Sequence, residues 1–75
     1  MDRAALDAAI LSAHAKDDGA ALAGLYAKAG RAHLAAGEID AGCFFLTQAY
    51  IFALEAGHDD APALRALLKQ HGRED

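Results

Sequence analysis

Residues 43–54 read Cys43-Phe44-Phe45-Leu46-Thr47-Gln48-Ala49-Tyr50-Ile51-Phe52-Ala53-Leu54. Ten of these twelve residues are apolar, and they include all three phenylalanines and the only cysteine. A helix apolar all round has to be covered on more than one side. The segment is therefore expected at the centre of the molecule. At about 100° per residue it divides by angle. Gly42, Leu46, Ala49 and Ala53 share one side, with Ile39, Cys43 and Tyr50 at its edge. Phe44, Phe45, Ile51 and Phe52 fall toward the far side, around Gln48 and Glu55.

Working outward, glycine-bearing breaks divide the chain into four segments whose apolar spacing is close to 3.6. The first, about 2–16, starts at the capping residue Asp2 and carries Leu6, Ile10, Leu11 and His14 on one side. It ends at Lys16-Asp17-Asp18-Gly19, where Asp17 or Asp18 can cap the next helix. The second, about 20–36, carries Leu22, Leu25, Tyr26, Ala29 and His33, and Gly37 supplies its left-handed terminator. The third runs over about 38–56 to Gly57, with Glu38 and Asp40 near its positive end. The fourth, about 61–71, follows Asp59 or Asp60 as cap, takes Pro62 in its first turn, and bears Leu64, Leu67 and Leu68 before Gly72. Connections this short make successive helices antiparallel neighbours. The predicted fold is all-α, one domain over 1–75.

Composition agrees. Of 41 apolar residues 21 are Ala, there is no Val, and only three Ile and one Thr occur; such a mixture favours helix over sheet. About twenty side chains remain to fill a core, in a size range where a second chain often helps. A net charge of −4 with seven scattered Lys and Arg offers no track for a phosphate backbone, which argues against nucleic acid. The start Met1-Asp2-Arg3-Ala4 has no signal-peptide pattern, and the apolar run is far short of the ~20 residues of a membrane helix. With one Cys and no internal disulfide to form, a reducing cytoplasm is the expected location, and no membrane is expected as a partner.

From Ala23 to Ala56 the chain resembles one tetratricopeptide repeat, a 34-residue helix-turn-helix unit. The resemblance rests on Tyr26, the small pair Ala29-Gly30, Leu34, the turn Gly37-Glu38-Ile39-Asp40, and Gly42, Leu46 and Ala49. His33 stands where the family places an aromatic residue, Gly42 where it places Ala, and Leu54 where it ends on Pro. The resemblance implies a binding groove on the second helix, with Tyr26, Arg31 and Leu34 as candidate lining and Ala27 in the same pattern. Ala27 departs from the basic and amide side chains with which the family clamps a peptide carboxylate. A lone repeat cannot bury both faces, so the first and fourth helices, or a second chain, must cover it.

No arrangement in the sequence performs chemistry. His14, His33, His58 and His71 lie on different segments without local metal-ligand spacing. Cys43 sits on a helix expected to be buried, and Ser12 has no elbow motif around it. His58-Asp59-Asp60 has the look of a turn and cap, and Arg65, Lys69 and Arg73 that of a solvated face. The sequence therefore points to a non-enzymatic protein-interaction module without cofactor or metal, acting on a protein partner or on itself as a homodimer. Its candidate interface is Phe44, Phe45, Ile51 and Phe52. The competing expectation is a small ligand- or metal-binding bundle using His33 and Tyr26 between the helices.

Overall fold

All four helices end in the same hydrogen-bonding pattern, written locally into the chain. The computed structural model describes residues 2–73, and its helices are α1 Arg3–Ala15, α2 Gly19–Ala35, α3 Ile39–Ala56 and α4 Ala61–Gln70. After each, one residue turns left-handed: Asp17 (φ 53°), Gly37 (79°), Gly57 (64°) and Gly72 (72°). The next amide then donates five residues back: Asp18 to the Ala13 carbonyl at 3.0 Å, Glu38 to His33 at 2.9 Å, His58 to Ala53 at 2.8 Å, and Arg73 to Leu68 at 2.9 Å. The left-handed residue's own amide also donates three residues back, as Gly37 does to the Leu34 carbonyl at 3.0 Å, and together the two bonds satisfy carbonyls that a helix end otherwise leaves open. Three of the four positions are glycine, which has no Cβ to clash there. Asp17 is the exception.

At the N-terminal ends the expectations hold for α1 and α2. The Asp2 carboxylate accepts from the Ala5 amide at 2.7 Å and the Asp18 carboxylate from Ala21 at 3.1 Å. They do not hold for α4. Asp60 occupies the capping position but its carboxylate makes no capping bond; instead its amide donates to His58 Nδ1 at 3.1 Å. At α3 the Glu38 carboxylate reaches back to His33 Nδ1 at 2.8 Å rather than to a helix amide.

Packing centres on the α2–α3 hairpin, with α1 against α2 and α4 against α3. Small residues let the hairpin close. A Cβ placed on Gly30 would lie 2.7 Å from Leu46 Cγ, and one on Gly42 would lie 2.7 Å from Leu34 Cδ2. Each glycine thus receives a leucine from the opposite helix. The core built on this crossing is modest: Leu22, Leu46, Leu64, Leu68 and Cys43 are its largest fully buried side chains, and alanines fill the rest. Among the described residues no buried side-chain N or O lacks a hydrogen-bond partner.

One side chain departs from the expected stripes. Leu11 is 71% exposed, because it lies about 140° round α1 from the buried Leu6. Helix α3 is longer than its apolar run, and at 18 residues it is, among the described residues, the one helix long and apolar enough to cross a membrane. Here it packs along α2 and α4. Past α4, Arg73 donates to Asp40 at 2.6 Å and ties the turn after α4 to the first turn of α3. That hydrogen bond holds the guanidinium pKa above its ordinary value. The molecule measures 32 × 27 × 14 Å between Cα atoms, so it is about two helices thick. A body this thin leaves part of a central helix open.

Candidate interaction surface

Helix α3 has three distinct sides. One is sealed on α2, where Leu46, Ala49 and Ala53 are fully buried beside Gly42. The edge at Cys43 and Tyr50 joins the core cluster with Leu64 and Leu68 of α4. The remaining arc holds the four aromatic and aliphatic residues singled out above, and the structure splits them into two pairs.

Phe45 and Phe52 are half-buried in an aromatic ladder. The Tyr26 ring stacks on both, with centroids 5.9 Å from Phe45 and 5.8 Å from Phe52. His33 stacks on Phe45 at 5.1 Å with the planes 5° apart. From α1, His14 presents its ring edge to Phe52 at 5.8 Å, and its Nε2 shares a 2.9 Å hydrogen bond with the Tyr26 hydroxyl. Offset and edge-on arrangements at these separations add to the stabilisation from area alone. The cover for this pair therefore comes from the same chain, through His14 and Tyr26.

Phe44 and Ile51 have no such cover. They are 60% and 42% exposed, and Leu54, one turn further on, is 56% exposed. Phe44 touches the rest of the chain edge-on at Phe45, with centroids 5.5 Å apart. Between them Thr47 turns its hydroxyl back to the Cys43 carbonyl at 2.8 Å, so this polar group is already satisfied. Phe44, Thr47, Ile51 and Leu54 follow a 3-4-3 spacing and span about 80° of the helix. The same 3-4 alternation occurs in the seams of paired helices.

The three candidate groove residues do not come together. Tyr26 belongs to the ladder, Leu34 packs on Gly42 in the hairpin crossing, and Arg31 is exposed. A groove of about 310 Å³ exists elsewhere, between α1, the end of α2 and the start of α3, lined by Leu6, Ile10, Ala29, His33, Glu38 and Phe45 among others. His33 is part of it as a packed residue, its side chain 15% exposed and bonded to Glu38. Its position could not be read from the sequence, because it depends on where α1 lies. Among the described residues no three of His, Cys, Asp and Glu group closely enough to hold a metal ion.

The chain matches no family model, no curated protein and no solved structure. The surface must therefore be interpreted from its own chemistry. It offers three large apolar side chains on one rigid helix, with Asp40 in the first turn of α3 and Glu55 in the last. Exposed apolar groups in a row on a helix are suited to burial against a second helix.

Proposed function

We propose that this chain is a non-enzymatic, cytoplasmic protein-interaction module that docks another helix on the open side of α3. The observation that carries the reading is the exposure of Phe44, Ile51 and Leu54 on a helix whose other sides are packed. In this reading the α2–α3 pair works as a single unit similar to a tetratricopeptide repeat. The small-residue crossing at Gly30 and Gly42, each filled by the opposite leucine, supports that comparison. Helices α1 and α4 act as its caps, and the second helix of the pair, rather than the first, carries the docking face. Partners are proteins, a second copy of this chain included.

The test is retention of native binding partners by the immobilised chain and by a Phe44→Ser/Ile51→Ser variant. Both residues are surface groups, so the variant should keep the wild-type circular dichroism spectrum and lose the retained proteins, self-association included. Equal retention by both, or none by either at high concentration, rejects the reading. A second reading, a small-ligand-binding bundle, draws on the groove against His33 and Phe45, whose volume is at the low end for ligand sites. A thermal-shift screen of small molecules decides it: a hit that His33→Ala abolishes favours the groove, and uniform blanks remove it.

A further inference from the structure

We propose that the groove between α1, the end of α2 and the start of α3 binds a small primary amine, its ammonium held by His33, Glu38 and Asp7 and its apolar body on the groove floor. The inference rests on the small-ligand reading of that groove and names the chemical class it takes.

Three helical stripes converge there. Arg3, Leu6, Asp7 and Ile10 fall at i, i+3, i+4 and i+7 on α1, and Ala29 and His33 stand one turn apart on α2. Glu38 and Phe45 lie two turns apart at the start of α3. Leu6 and Ala29 are buried, and Ile10 and Phe45 half-buried, so the apolar floor is already formed as part of the fold.

The polar groups set the ligand class. His33 Nδ1 lies 2.8 Å from Glu38 Oε1. An ionised carboxylate only accepts, so Nδ1 carries the hydrogen, and in the neutral ring Nε2 is a bare acceptor. Among the described residues nothing bonds to Nε2. No buried side-chain nitrogen lacks a partner there, so this atom is one that solvent reaches. The second Glu38 carboxylate oxygen is unused, and the Asp7 carboxylate pairs with no described residue.

The groove thus offers three acceptor groups, two of them anionic, against one cation, Arg3. A primary ammonium brings three donors and one positive charge, which matches that set. A carboxylate or phosphate ligand would meet like charge at Asp7 and Glu38. A volume of about 310 Å³ suits one small molecule.

The experiment titrates the full chain with three probes sharing one apolar body: 2-phenylethylammonium, 2-phenylethanol and 3-phenylpropanoate. Backbone amides and histidine ring nitrogens are followed by 15N NMR at about pH 8, where an ordinary imidazole is neutral. His33 is expected in the Nδ1–H form, and its Nε2 signal should move as the amine saturates in the millimolar range. The alcohol should bind about tenfold more weakly and the carboxylate not at all. Asp7 and Arg3 are exposed, so their variants keep the fold. Asp7→Asn should weaken the amine by roughly two- to fivefold and Arg3→Gln should tighten it by a similar factor. Glu55→Gln, at the other end of α3, should change nothing.

An Nε2–H ring, or a loss in Glu55→Gln equal to that in Asp7→Asn, overturns the inference. Alcohol or carboxylate binding as tightly as the amine overturns the ligand class and leaves the groove reading standing. No shift at Ala29, His33 or Phe45 with any probe to about 20 mM overturns the inference, and the thermal-shift screen then judges the groove reading by itself.

Discussion

Gly30 and Gly42 meet across the α2–α3 crossing so closely that a Cβ on Gly30 would stand 3.0 Å from the Gly42 carbonyl oxygen, and one on Gly42 would stand 3.1 Å from that of Gly30. The contact is backbone to backbone. It sets the interhelical distance of the hairpin on which both other helices rest.

Alanine at either position is therefore expected to destabilise. In an exposed helix interior, Gly to Ala gains roughly 0.5–1 kcal/mol. Here the new methyl would fall on Leu46 Cγ or on Leu34, each at under 3 Å, and Leu46 is fully buried with nowhere to move. Overpacking of this kind costs about 1–3 kcal/mol. Gly30→Ala should lower the urea midpoint, and an unchanged or raised midpoint would show that the helices can separate freely.

Gly24 supplies the matching control. It lies inside α2 with no atom within 4 Å of where its Cβ would be. Gly24→Ala should raise stability by about 0.5–1 kcal/mol, with the midpoint moving up at an unchanged slope.

Asp17 holds the left-handed position that glycine takes after the other three helices. An L-residue in that conformation is strained by up to roughly 1–2 kcal/mol, less for Asp than for most. Asp17→Gly is expected to stabilise by up to about 1 kcal/mol, read as a rise of several degrees in the thermal midpoint. The Asp18 cap on α2 is untouched by the change, so a fall would mean that the Asp17 side chain has a role of its own.

Phe44 and Phe45 are adjacent in sequence and should respond oppositely to truncation. Phe45→Ala removes a ring held between Tyr26 and His33 and should cost roughly 2 kcal/mol or more. Phe44→Ala, measured in dilute solution, should stay within about 0.5 kcal/mol of wild type. Chemical denaturation of the two variants side by side checks the division of α3 into a packed side and an open one.

Tyr26→Phe keeps the ladder and deletes the hydroxyl that His14 contacts. Because His14 is an exposed residue that water can reach, the loss should be only about 0.5–1 kcal/mol. Its signature is local: amide exchange in the second half of α1 should quicken while α3 is unaffected. A uniform change would place the effect in the core instead.

The helices and their ends were legible because each depends on a few consecutive residues. Asp2 and Asp18 cap through amides three positions away, and Gly37, Gly57 and Gly72 terminate through bonds reaching five positions back. The side of α3 packed on α2 was legible too, since Gly42, Leu46, Ala49 and Ala53 are small or aliphatic at one helical angle. Glu38 and Asp60 show the limit of this local chemistry. Both are acidic residues at helix starts, but a histidine brought alongside takes the carboxylate of one and the amide of the other.

By helical angle Phe44 and Ile51 lie furthest from the side packed on α2, which singles them out as the expected open contacts. What the chain alone does not say is whether α1 or α4 covers them, because periodicity carries no information about where on the far arc another helix will lie. The neighbouring helices settle it: Tyr26 and His33 of α2 stack on Phe45, Tyr26 also on Phe52, and His14 of α1 meets Phe52 edge-on, while Phe44 and Ile51 stay exposed. Contacts between residues far apart along the chain thus divide one hydrophobic run into a packed pair and an open pair, and the open pair is where the proposed function lies.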